Sequence, residues 1–158
     1  MELAAVLHDV RSVHNVGSIF RTADAAGVSK IYLCGITPAP IDRFKEVRKD
    51  FAKVALGAER SVKWESVKDT KDAVARLKRD GYEVLAVEQS PDAVSCEKVV
   101  VKKNMRLALV MGNEVQGLPP AVLALADKTI EIPMFGKKES LNVSVAFGIV
   151  AFVLRLKA

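Results

Sequence analysis

The sequence predicts an α/β domain built on a mainly parallel sheet with helices on both faces. Three observations carry this. Strand-like and helix-like segments alternate along the chain. The clearest strands are unbroken apolar runs, the pattern of strands covered on both sides. Polar residues and glycines gather just after the strands, where open parallel sheets collect ligands.

The elements follow in order. LAAVL, at residues 3–7, reads as a first strand. HDVRSVHNVG follows as a polar loop. SIFRTADAAG reads as a helix ending at Gly27, a C-cap candidate. SKIYLCGI, rich in β-branched and aromatic residues, is a second strand. The segment from TPAP onward is irregular and then basic, and SVKWES offers a short strand. Residues 67–79 carry Val67, Val74 and Leu77 at helical spacing among charges, which predicts an exposed amphipathic helix stopped by Gly81. YEVLAVEQ and RLALVMGNE are the third and fourth clear strands. LPPAVLALAD reads as a helix with proline in its first turn. KTIEIPM is a fifth strand, and the loop FGKKE leads into a final apolar helix.

The length of 158 residues suits a single domain over 1–158, and a hydrophobic fraction of 50% supports a sizeable core. A net charge of +5 and a pI near 9.3 fit a polyanionic partner. Cys34 and Cys96 lie in apolar surroundings with no Cys/His ligand spacing, so no metal is expected and both thiols are expected reduced. MELAAVLHDV has neither the basic start nor the long apolar stretch of a signal peptide. The apolar C-terminal run is too short to span a bilayer. The expectation is a cytoplasmic protein with no membrane contact.

Three segments bring polar residues to one rim of the sheet. They are Asn15, Gly17 and Arg21 after the first strand, MGNEVQGLP after the fourth, and IPMFGKKESLN after the fifth. Each also has an ordinary explanation. A glycine after a strand often serves only a turn, Asn15 suits an N-cap, and Glu114 and Arg21 suit solvated surface. His8 and His14 are assigned no role. The dinucleotide fingerprint G-x-G-x-x-G is missing.

Taken in order, NVGSIFRTADAAGV, LVMGNEVQGLP and IEIPMFGKKESLNVSVAFGIVAF resemble the three motifs of the SpoU/TrmH family of RNA ribose 2′-O-methyltransferases, within the SPOUT superfamily. The third motif is the most specific, because Ile-Pro-Met followed by Ser-Leu-Asn-Val-Ser-Val-Ala is hard to reach by chance. The resemblance covers nearly the whole chain. It implies a SPOUT α/β fold with a C-terminal trefoil knot, against the general rarity of knots. It also implies S-adenosylmethionine held in the knot, a homodimer, and tRNA or rRNA as substrate. The final helix supports the dimer independently, since it is apolar nearly all round and one sheet face cannot cover it.

Residue by residue, the resemblance makes Arg21, Asn15, Glu114, Ser140 and Asn142 the candidate catalytic set. Gly112, Ile132, Met134 and Leu141 become the candidate cofactor-binding set. A guanidinium stays charged, so Arg21 suits a phosphate or a developing alkoxide better than a proton. Its role as base or as stabiliser stays open. The sulfonium donor is already activated, so no metal is required. Arg43, Lys45, Arg48, Lys49, Lys53 and Arg60, with Lys137 and Lys138, offer phosphate contacts or simply a solvated basic face. No added RNA-binding domain is expected. Two other classes stand beside the enzyme: a non-catalytic RNA-binding or assembly protein on the same fold, and a nucleotide-dependent oxidoreductase. The complete polar set weighs against the first, and the missing glycine fingerprint against the second.

Overall fold

The computed structural model describes all 158 residues. Seven strands form one sheet: β1 (Glu2–His8), β2 (Lys30–Cys34), β3 (Trp64–Val67), β4 (Glu83–Val87), β5 (Val94–Ser95), β6 (Arg106–Met111) and β7 (Lys128–Glu131). Their spatial order is β3-β2-β1-β6-β4-β7-β5, and every pairing is parallel. The helices are α1 (Val13–Ala25), α2 (Lys49–Ala55), α3 (Ala58–Ser61), α4 (Thr70–Arg79), α5 (Pro120–Leu123) and α6 (Val143–Leu156).

The unbroken apolar runs have the cause expected from the sequence. Along β1, Leu3, Ala5 and Leu7 enter one core while Ala4 and Val6 enter another on the opposite face. Along β6, Leu107, Leu109 and Met111 split in the same way from Ala108 and Val110. Successive side chains of a strand point to opposite faces, so only a sheet covered twice makes every position apolar.

The two faces are unequal. The larger core packs the sheet against α1, α2, α3 and α6, with Ile19, Phe20, Phe51, Phe147 and Leu154 fully buried. Phe20 and Phe51 meet edge-to-face with ring centroids 5.1 Å apart, which locks α1 to α2. The smaller core is rich in alanine: Ala4, Ala73, Ala86 and Ala108 let α4 lie close to the sheet, where Val74 and Leu77 fill the gap.

Several boundaries differ from the sequence expectation. The first helix begins five residues early, because Ser12 rather than Asn15 is the N-cap, its Oγ accepting from the Asn15 amide at 3.2 Å. Asn15 thus lies in the first turn of α1. The helix expected over 118–127 stops at Leu123. Asp127 pulls the chain back to the sheet: its amide donates to the Val84 carbonyl at 2.8 Å, and its carboxylate accepts from the Val84 amide at 2.7 Å. The basic stretch contains two short helices, α2 and α3, split where Leu56 and Gly57 take positive φ. β5 is only two residues long and leaves no periodic signal. Cys34 and Cys96 are free and buried, and burial pushes the Cys34 thiol up to about 11.

Replacing Phe51 with alanine removes one of the two fully buried rings of the α1–α2 aromatic pair. The expected loss is about 3–5 kcal/mol in urea unfolding. A loss below ~1 kcal/mol would show that the larger core does not depend on this contact.

Candidate active site

The carboxyl ends of β1, β4, β6 and β7 converge on one rim. The segment after β6 turns sharply. Asn113, buried, accepts the amides of Val115 and Gln116 through Oδ1 at 2.9 and 3.1 Å and donates Nδ2 to the Asp9 carbonyl at 2.7 Å. This single side chain shapes the turn and fastens it to the end of β1. The turn folds tightly on itself. A Cβ on Gly112 would lie 2.5 Å from the Gly117 carbonyl carbon and 2.7 Å from the Leu118 nitrogen. Gly117 has φ +66° and sits against Glu88, where a Cβ would fall 2.3 Å from Oε2. Side chains are excluded at both positions, by backbone crowding at one and by conformation as well as crowding at the other.

Beside this turn lies a cavity of about 220 Å³. Gly112, Glu114, Ile132, Met134, Ser140 and Leu141, all anticipated from the sequence, line it. Val87, Glu88 and Gln89 of β4 and its following loop close another side, with Glu131 at the end of β7. The residues from β4 and its loop lie outside the three motifs, and Glu131, although within the third, was given no role; their position at strand ends was a usable signal.

Next to the cavity runs a chain of hydrogen bonds joining distant parts of the sequence. The Glu114 carboxylate accepts from the amides of Arg11 and Ser12, each at 3.1 Å, and from Asn15 Nδ2 at 3.0 Å. Asn15 Oδ1 accepts from Asn142 Nδ2 at 3.1 Å. Asn142 Oδ1 accepts from the Ser144 amide at 2.9 Å and the Ser144 hydroxyl at 2.6 Å, which caps α6. Ser144 therefore bonds to the cap rather than back along the helix. Desolvation pushes the Glu114 carboxyl upward, but the Asn15 amide and the three backbone N–H groups at Glu114, Arg11 and Ser12 outweigh it, leaving it below the usual range. Glu114 is thus an ionised acceptor at neutral pH.

Arg21 stands apart. It is six residues beyond Asn15, about 9 Å farther along α1 and on a different face of the helix. There it is exposed and lines a broad, open groove with His14, Lys53 and Phe152. The same side of α6 exposes Val145, Ile149, Phe152 and Leu156, an apolar stripe at helical spacing. Of the anticipated catalytic residues, the fold thus brings Asn15, Glu114, Ser140 and Asn142 to the cavity and its edge, and leaves Arg21 on a neighbouring face.

The model of the SpoU rRNA methylase family matches residues 2–152. The chain belongs to the SpoU rRNA methylase family. Among SpoU relatives, a tRNA (guanosine(18)-2′-O)-methyltransferase of Aquifex aeolicus is 34% identical over 155 residues, covering 96% of this chain and 67% of the relative. A 23S rRNA (guanosine-2′-O-)-methyltransferase of Escherichia coli is 35% identical over 147 residues, covering 93% and 57%. The crystal structure of an AdoMet-bound rRNA methyltransferase from Sinorhizobium meliloti superposes with a TM-score of 0.87 at 31% identity, covering 98% of this chain and 56% of that one. The chain thus spans roughly three fifths to two thirds of the length of these curated SpoU relatives.

Asn142→Ala removes both the cap of α6 and the link to Asn15. It is expected to cost about 1–2 kcal/mol in urea unfolding. Ser140→Ala, which removes a side chain with no hydrogen bond, is expected to stay within ~0.5 kcal/mol. Equal losses in the two variants would contradict the assignment of the cap.

Proposed function

We propose that this protein transfers a methyl group from S-adenosylmethionine to the ribose 2′-hydroxyl of an RNA, tRNA or rRNA. The observation that carries this is the joining of all three motif segments at one cavity: the 112–118 turn, the 132–142 loop, and Asn15 bound to both through Glu114 and Asn142. The names of the curated relatives and the bound cofactor of the Sinorhizobium meliloti enzyme support it.

The cavity suits the cofactor chemically. Ile132, Met134, Leu141 and Val143 give apolar surface for an adenine ring. The backbone at Gly112 and Gly117 is bare of side chains, which lets a flat ring approach the turn closely. When bound, S-adenosylmethionine supplies a methyl group already activated by its sulfonium. Ser140 lines the cavity and Asn15 and Asn142 stand at its edge, available to an incoming ribose, while Glu114 fixes the orientation of Asn15. Lys137 and Lys138, exposed in the loop beside the cavity, and Arg43 and Lys45 attract RNA phosphates. Arg48 and Arg60 are less available, being paired with Asp50 and Glu59.

Arg21 acts across a subunit interface. The exposed stripe of α6 and the groove holding Arg21 form one face, and a second copy covering that face would bury Val145, Ile149 and Phe152. Arg21 of one subunit then serves the cavity of the other. With the donor bound, the fixed guanidinium charge would stabilise the negative charge that develops on the ribose oxygen as its proton leaves, before that oxygen takes the methyl group. An RNA phosphate oxygen takes the proton, since Arg21 cannot. The reading extends to a single domain over 1–158, to a C-terminal trefoil knot, supported by the insertion of β6 between β1 and β4, and to a cytoplasmic setting. No helix is long and apolar enough to cross a membrane.

Calorimetry with S-adenosylmethionine, followed by mapping of alkali-resistant sites on tRNA and rRNA, tests the activity. Binding and a new 2′-O-methyl site are expected. No binding heat together with no new site would sink the enzyme. Arg21→Ala is expected to lose at least ~100-fold in turnover while keeping cofactor affinity within about threefold. Unchanged turnover would remove Arg21 from the mechanism. Sedimentation at micromolar concentration is expected to show a dimer, and a monomer there would contradict the shared site.

A further inference from the structure

The wall of the cavity contributed by β4 carries a residue outside the three motifs. Glu88 is half-buried and firmly held. Its Oε2 accepts from the Leu118 amide at 2.9 Å and its Oε1 from the Gln89 amide at 3.1 Å. Its own amide donates to the Ile130 carbonyl at 3.1 Å, fixing the backbone to β7. No cation pairs with it. Glu131 lines the same cavity, half-buried, with neither a hydrogen bond nor an ion pair from its side chain. Glu114 adds a third carboxylate, held by N–H groups alone.

These three carboxylates line the cavity without one lysine, arginine or histidine among the lining residues, in a chain of net charge +5. The sign of the cavity is thus opposite to that of the whole protein. Backbone amides stabilise a carboxylate but leave its net charge in place, so the field inside the cavity is negative.

We propose that Glu88, together with Glu131, makes this cavity prefer the cationic methyl donor to its neutral product. The inference rests on the donor occupying the cavity. S-adenosylmethionine carries one positive charge more than S-adenosylhomocysteine, at the sulfonium. Transfer moves the methyl to the ribose oxygen, the hydroxyl proton leaves to the RNA phosphate, and the electron pair of the carbon–sulfur bond stays on sulfur as a neutral thioether. The carboxylates then lose the charge they attracted, and the product is released. The arrangement also separates the two substrates by sign: the polyanion is drawn to the basic residues outside and the cation to the cavity. Each carboxylate lies within a few ångströms of the cavity space and is partly screened by solvent, so its effect on the donor is on the order of tenfold in affinity.

Titration calorimetry with S-adenosylmethionine and with S-adenosylhomocysteine, on the full chain and its variants, tests this. The unmodified protein is expected to bind the donor more tightly than the product. Glu88→Gln is expected to reduce donor affinity about tenfold and product affinity less than about threefold. Glu131→Gln removes charge from a side chain with no hydrogen bond to lose, so it is expected to narrow the same ratio without moving the unfolding temperature. A donor-to-product ratio that stays unchanged in both variants would overturn the inference. So would equal losses of the two ligands in Glu88→Gln, which would mark Glu88 as holding the 112–118 turn and nothing more. Failure of the unmodified protein to bind either ligand is a separate result: it would overturn the donor reading itself, and this inference with it.

Discussion

The carboxylate of Glu114 ties the site to the fold. Three donors reach it from the segment after β1, two of them backbone amides at the entry to α1 and one the side chain of Asn15. Through Asn15 the same chain of bonds reaches Asn142 and the start of α6, 127 residues farther along the sequence. Segments from the first, middle and last parts of the chain are fixed by few polar contacts. Beneath them the two apolar cores fix the strand ends from which these segments emerge. A carboxylate that accepts several N–H bonds stays ionised well below neutral pH, so the tie persists under physiological conditions.

Close backbone approach is the second constraint. The turn after β6 is folded so tightly at Gly112 and Gly117 that ordinary side chains would collide with the backbone or with Glu88. Asn113 keeps it folded from within and fastens it to the Asp9 carbonyl. The cavity is the space left beside that turn once β4, β7 and the start of α6 are in place. Its mixed character follows from its walls: apolar side chains from the 132–143 segment, bare backbone from the turn, and carboxylates from the strand ends.

Much of this was legible in the sequence. The apolar runs at residues 3–7 and 107–111 report a sheet covered twice, because each position faces one of two cores. The rule that ligands gather at the carboxyl ends of parallel strands located the rim, and the cavity lies there. The motif resemblance picked out Gly112, Glu114, Ile132, Met134, Ser140 and Leu141, which the fold brings to one cavity. Other features could not be read because they depend on tertiary partners. Glu88 and Glu131 are ordinary strand-end residues until β4 and β7 are seen side by side. The early start of α1 depends on Ser12, one of several polar residues in a stretch that reads as loop. The separation of Arg21 from Asn15 follows from helix geometry, but its meaning depends on the neighbouring face of α6. The apolar C-terminal helix was expected to exceed what one sheet face could cover, and Val145, Ile149, Phe152 and Leu156 do remain exposed.

We propose above all that the methyl donor lodges between the 112–118 turn and the 132–142 loop, at the edge marked by Asn15, Glu114 and Asn142. A crystal structure of the protein with S-adenosylhomocysteine tests it most directly. The expected result is the adenine against Ile132, Met134 and Leu141, and the Glu114–Asn15–Asn142 chain of hydrogen bonds intact beside the thioether. Ligand density in the groove around Arg21 of the same subunit, or a cavity left empty with ligand elsewhere, would contradict it.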